Sequence, residues 1–247
     1  ELGALGLGGV FDHPKPCGLI SKILRITTEA DDLVLDFFAG AATTADALIR
    51  LNNEEKTARR LLLIQLPEPV SDGTEAASAG FKTIADIGRE RIRRVIESLN
   101  SQSGASGGTT SNLGFKSFVL SPSNFKQWRG DYIDTPEALQ EQIQLFVQSE
   151  KDGAGTEDML YELLLKFGQP LTTPIETLEV QGNRVFSINN RSMLFVLEEC
   201  TEPMIAALTA IKPREIVALD SVFHSSDELK SNLDLQCRDA EIRFTCI

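Results

Sequence analysis

LVLDFFAGAATTADALI, residues 33–49, reads as a buried strand ending in Asp36, a turn of small residues at Ala39-Gly40-Ala41-Ala42, and a helix opened by Thr43 and Thr44. A strand that delivers a carboxylate to its C-terminal edge, beside small residues and a helix start, leaves backbone N–H groups and a partial positive charge facing a crevice. An anionic or carboxylate-bearing ligand suits such a place, and the C-terminal edge of a parallel sheet is where open α/β folds bind ligands. Taken alone, a small-residue turn is equally what a tight βα connection uses to pack helix on strand. A Gly-x-Gly turn would carry glycine where Ala42 stands.

On the N-terminal side, HPKP forms a Pro-bounded turn, and residues 17–28 place Leu19, Ile20, Ile23, Leu24 and Ile26 at helical spacing. Strand Leu33–Phe37 and helix Thr43–Leu51, with Ala45, Leu48 and Ile49 inward, lead to RRLLLIQLPEP. That continuous apolar run predicts a second strand covered on both faces, stopping at Pro67. Strand, helix, strand at this spacing predicts a right-handed βαβ unit with parallel strands. Residues 80–99 predict an amphipathic helix with Ile84, Ile87, Ile92 and Ile96 facing in and Arg89, Arg91, Arg93 and Arg94 largely outward, balanced by Glu90 and Glu97.

NSQSGASGGTTSN, residues 100–112, reads as a Gly/Ser linker, so the expected domains are 1–99 and 113–247 with 100–112 between them. The second domain is expected to be small and α/β. It holds a strand at LGFKSFVL, a helix opened by Thr135-Pro136-Glu137, and another capped by Thr156 and ended at Gly168. A hairpin around Gly182-Asn183 follows, then strand Ser192–Leu197, helix Glu202–Ile211, strand Glu215–Leu219, a helix from about Ser226, and strand Ile242–Cys246. No internal repeat is visible.

With 24 Lys+Arg against 36 Asp+Glu, the 247-residue chain carries a net charge of -12, which argues against its supplying the main groove for a DNA duplex. The 4 cysteines are scattered and only 2 histidines accompany them, so neither a zinc site nor a disulfide framework is expected. No apolar run approaches the ~20 residues that span a bilayer, and a cytoplasmic protein is the expectation. The sequence begins at Glu1 and runs directly into a patterned segment, as expected of a portion of something longer.

The stretch at 33–49 resembles the S-adenosylmethionine-binding segment of the amino-methyltransferases that modify DNA, roughly Asp-x-Phe-x-Gly-Ser-Gly-Thr-Thr. Asp36, Phe38, Gly40, Thr43 and Thr44 match, while Ala41 and Ala42 replace Ser and Gly. FDHPKPCGLI is similar to the segment preceding it in that family, with Lys15-Pro16 and Leu19 in register. LNNEEKTARRLLLIQLPEP, GFKTIADIGRERI, GFKSFVLSPSNFKQW and the tail from Glu215 resemble the modification (Mod) subunits of type III restriction-modification systems. These are adenine-N6 DNA methyltransferases of the permuted class, with the catalytic motif upstream of the cofactor motif. The resemblance covers almost the whole chain. It implies the C-terminal half of a Rossmann-like methyltransferase sheet followed by a small α/β assembly domain.

S-adenosylmethionine is the implied cofactor, bound by Lys15, Pro16, Asp36, Phe37, Phe38, Ala39, Gly40, Ala41 and Thr43, with Gln65 where related enzymes place an acidic residue for the ribose. If the turn demands positive φ at Ala42, a Cβ there costs about 1 kcal/mol and the cofactor contact is altered. The catalytic motif Asp/Asn-Pro-Pro-Tyr is absent, since none of the 10 prolines adjoins another. No catalytic or metal-binding residue is therefore assigned, and inactivity of the chain alone is expected. The implied partners are DNA through the upstream part, a second Mod copy in a homodimer, and a restriction (Res) subunit. His13 reads as a turn residue, His224 as part of a helix-capping loop, and Trp128 as core or interface. Two other readings stand beside this one: a non-catalytic scaffold descended from such an enzyme, and a dehydrogenase fragment, disfavoured by the missing Gly-x-Gly-x-x-Gly.

Overall fold

The computed structural model describes residues 1–105, 113–127, 134–137, 139–140 and 149–247. The chain divides into two compact units, Glu1–Phe118 and Val119–Ile247. Trp128 and most of the helix expected after Thr135 lie outside the described residues.

In the N-terminal unit a 3₁₀ turn, Leu2–Leu5, precedes helix α1 (Cys17–Thr27), strand β1 (Leu33–Asp36), helix α2 (Thr43–Glu55), strand β2 (Arg60–Leu63), a short α3 (Glu75–Ser78) and the long α4 (Ile84–Ala105). β1 and β2 are parallel, with Leu33 opposite Arg60 and Asp36 opposite Leu63, as the βαβ reading expects. One face of the pair is covered: Val34 and Leu61 pack with Leu24 of α1 and Ala47, Leu48 and Leu51 of α2, and Leu63 packs with Ala45 and Ile92.

The other face is bare. Leu33, Leu35, Phe37, Leu62, Ile64 and Leu66 are each more than half exposed, which corrects the expectation that the second strand is covered on both sides. The apolar run is what a two-sided strand needs, but only one layer of helices is present in this unit to cover it. The first residues of the expected Gly/Ser linker are helical. Residues 100–105 continue α4, because a helix already anchored by Ile92, Val95 and Leu99 propagates more easily than it nucleates. Residues 106–112 lie outside the described residues.

The C-terminal unit is a mixed sheet in the order β3-β4-β5-β6-β7, formed by Ile175–Val180, Asn183–Ile188, Met193–Val196, Glu215–Ala218 and Arg243–Cys246. The β3–β4 hairpin turns on Gln181 and Gly182, both at positive φ (51° and 81°), the twist that two-residue hairpins favour. β5, β6 and β7 run parallel through helices α6 (Glu202–Ala210) and α7 (Asp227–Asp239), while α5 (Thr156–Lys166) contributes Leu160, Leu163 and Leu164 to the core. Gly155 rather than Thr156 is the N-cap of α5, and residues 113–120 are assigned to no strand, since β propensity is expressed only in a sheet context.

Glu162 of α5 ties Ser123 and Asn124 to this unit. Burial raises its pKa, but hydrogen bonds from the Ser123 hydroxyl, the Asn124 N–H, Lys166 and the Asn124 amide outweigh burial and hold it at about 2. A depressed carboxylate stabilises the fold above its unfolded pKa, about 4.3, and loses that contribution as pH falls toward 2. Glu162→Gln is therefore expected to cost about 2–3 kcal/mol at pH 7 and to flatten the acid limb between pH 4.5 and 2. Guanidinium melts at pH 7 and pH 3 check this, and parallel losses in both proteins at pH 3 would refute it.

Candidate functional site

The C-terminal edge of β1 and the start of α2 are held in one shape by the side chains that flank them. Asp36 accepts hydrogen bonds from the Phe38 N–H (3.1 Å) and the Thr44 hydroxyl (2.6 Å), closing strand, turn and helix on a single carboxylate. The Gly40 N–H donates to Gln65 Oε1 at 2.7 Å, and Gln65 Nε2 lies near Leu66 O and Glu68 Oε1. Gln65 thus reaches the turn from the end of the second strand and braces it.

Gly40 has φ 52° and Ala42 φ 56°, both left-handed. The glycine that the resemblance expected at Ala42 is replaced where positive φ is in fact required, at a cost of about 1 kcal/mol. Its methyl group is buried against Ala45 and Ile92, which offsets part of that cost. Gly88 of α4 makes room for it: a Cβ on Gly88 would stand 3.4 Å from the Ala42 Cβ and 3.2 Å from Gly40 O.

Ala42 is the N-cap of α2 and offers no side-chain cap, so the helix start retains donors for an anionic group. A groove of about 410 Å³ runs between α1 and β1, lined among others by Ile20, Leu35, Asp36, Phe37, Phe38 and Thr44. The rings of Phe37 and Phe38 lie 5.1 Å apart and are well exposed. A Cβ on Gly40 would meet only Phe11 Cζ, at 3.6 Å. Among the described residues no group of His, Cys, Asp or Glu is arranged to hold a metal.

Eight of the sequence-derived residues therefore converge: Asp36, Phe37, Phe38, Ala39, Gly40, Ala41, Thr43 and Gln65 line or brace one turn. Lys15 and Pro16 are exposed at the start of α1, and among the described residues no hydrogen bond or ion pair joins them to the turn. Their neighbour Cys17 does reach it, through Arg91. The Cys17 N–H is capped by the Glu1 carboxylate (3.0 and 2.9 Å), and burial, then the Asp46 carboxylate, push its thiol up to about 12 against the opposing effect of Arg91.

Arg91 corrects the outward placement of the α4 arginines. It is fully buried, donating to Asp46 Oδ2 (3.0 Å), Thr43 Oγ1 (2.9 Å), Ala41 O (3.2 Å) and Cys17 Sγ (3.1 Å). Arg94 also turns toward the protein, to Leu5 O and Gly6 O, while Arg93 is exposed. Position 91 lies seven residues after Ile84 and four before Val95, the helical spacing of an inner face. That spacing was the signal that the residue's charge obscured.

Residues 3–96 match the family model described as DNA methylase. The Mod subunit of the type III restriction-modification enzyme StyLTI from Salmonella typhimurium is 43% identical over 109 residues, 44% of this chain and 16% of the relative. The EcoP15I Mod subunit from Escherichia coli is 27% identical over 90% of this chain and 33% of the relative, and the EcoPI Mod subunit from Escherichia phage P1 is 28% identical over 90% and 34%. This chain is similar to type III Mod subunits. It spans about a third or less of the length of these Mod relatives. Against the EcoP15I and EcoPI Mod subunits the similarity runs through both units, whereas the DNA methylase match stays within the unit that holds the turn.

Proposed function

We propose that the N-terminal unit binds S-adenosylmethionine and that the chain supplies the cofactor-binding part of an adenine-N6 DNA methyltransferase. The observation that carries this is the coincidence of a braced strand-turn-helix, open above Gly40 and uncapped at α2, with the DNA methylase match across the same residues. When bound, S-adenosylmethionine supplies an electrophilic methyl group. Gly40 permits close approach of the ligand to the backbone, the α2 N-terminus suits its carboxylate, and Phe37 and Phe38 offer apolar faces for its adenine. Asp36, Gln65 and Thr43 hold the turn, and in this reading Lys15 and Pro16 meet the cofactor from the exposed start of α1.

The bare sheet face supports reading β1–β2 as part of a larger Rossmann-like sheet. Six large apolar residues in solvent are costly, and β1 pairs with β2 alone among the described residues. In this reading the missing layer and the Asp/Asn-Pro-Pro-Tyr motif come together from residues outside this sequence, DNA is engaged mainly there, and the target adenine is flipped to that motif. The C-terminal unit serves assembly, with a second Mod copy and a Res subunit as partners, in the cytoplasm.

Calorimetric titration of the 247-residue chain with S-adenosylhomocysteine is expected to show saturable one-to-one binding. Gly40→Val puts a β-branched side chain at φ 52° and two methyl groups in the ligand's space. Its affinity is expected to fall at least about tenfold, with the circular dichroism spectrum retained. Equal affinity in the variant would overturn the site. Absence of binding by the parent chain would favour the non-catalytic scaffold.

A further inference from the structure

We infer that Arg91 is the positioning residue of the cofactor turn, fixing from beneath the direction in which Gly40 to Thr43 present their backbone; this rests on the cofactor reading above. Its guanidinium is the only fully buried cation among the described residues, and it joins three elements that no backbone ladder joins. Through Cys17 Sγ it touches the first residue of α1, through Ala41 O the turn itself, and through Thr43 Oγ1 and Asp46 the first turn of α2.

The contact with Ala41 O is the specific one. Ala42 sits in a left-handed conformation that is unfavourable for a non-glycine residue; the N–H of the Ala41–Ala42 peptide donates to Ala39 O at 2.8 Å within the turn, and Arg91 holds its carbonyl side. A buried guanidinium with donors in a rigid fork can grip a carbonyl and a hydroxyl on one side and a carboxylate on the other, which a lysine cannot. Asp46 supplies the countercharge and is itself buried, with Arg50 on its outer oxygen at 2.5 Å. A buried ion pair is weak as a source of stability relative to a well-packed apolar pair. Its retention under a ligand-binding turn is explained by orientation.

The test replaces the pair without leaving a charge behind. Arg91→Met combined with Asp46→Leu fills the same space with apolar groups and is expected to unfold cooperatively near the parent midpoint. Amide exchange at residues 39–43, measured without ligand, is expected to accelerate at least about tenfold while exchange at 60–63 is unchanged. Affinity for S-adenosylhomocysteine is expected to fall by about 10- to 100-fold. Arg91→Lys, which keeps the charge and loses the fork, is expected to lie between the two.

A folded double variant with parent-like exchange at 39–43 overturns the inference whatever the parent's affinity, which separates this failure from failure of the cofactor reading. Should the double variant not fold, Arg91→Lys decides: parent-like exchange at 39–43 sinks the proposal, and selective acceleration there upholds it.

Discussion

Asp46→Ala is expected to remove about 3–5 kcal/mol from the N-terminal unit, the cost of leaving a buried guanidinium without its one buried carboxylate partner among the described residues. Arg91 has no exposed side-chain surface and Asp46 almost none. Of the remaining partners, Thr43 Oγ1, Ala41 O and Cys17 Sγ are neutral, and the half-exposed Glu1 carboxylate stands 4.0 Å away, where solvent screens it. The exposed partner Arg50 contributes little, as a solvent-screened pair does. Domains of this size have ~5–15 kcal/mol of stability in all, so the variant should be extensively unfolded at 37 °C in this unit while the C-terminal unit keeps its melt. Hydrogen exchange resolved by segment distinguishes the two units. A loss below about 1 kcal/mol would mean that Arg91 finds other compensation and that the buried pair has been misjudged.

Methyl transfer to DNA should be undetectable with this chain alone and should rise by about 10³-fold or more when a segment carrying Asp/Asn-Pro-Pro-Tyr is restored covalently or in trans, because orientation of the flipped base is the larger part of what the missing residues supply. The net charge of -12 adds to the deficit, since little attracts a duplex at physiological salt. Tritiated-methyl incorporation into adenine-containing duplex is the measurement. Transfer at adenine N6 by the unsupplemented chain would show that the catalytic group lies within these residues, and the permuted order on which the reading depends would fall.

Much of the architecture was legible in the residues. The β1–β2 parallel pair follows from two apolar runs separated by a helical period, and the β3–β4 hairpin follows from Gly182. In the C-terminal unit the strands at 193–196, 215–218 and 243–246 follow from short apolar runs between capped helices. Local chemistry decides such elements: alternation, caps and glycines act within a few residues. The turn at 39–42 was legible for the same reason, down to the question raised by Ala42.

What the sequence could not decide was partnership across distance. That Gln65 braces Gly40 across 25 residues depends on the register of β1 with β2, and that Arg91 grips Ala41 across 50 depends on how α4 packs over α2. A helical pattern places a residue on a face but says nothing of what stands opposite it. Charge suggested solvent for Arg91, while Asp46, Thr43 and Ala41 O had made a buried socket for it. In the same way an apolar run at 61–66 announced two buried faces, and only the tertiary structure showed that one of them is bare in this chain. The sequence by itself determined the elements and the shape of the turn, because these are set by neighbours along the chain. The tertiary structure alone decided which groups hold that turn and which apolar face is left open, because burial is a property of what packs against a surface and not of the surface itself.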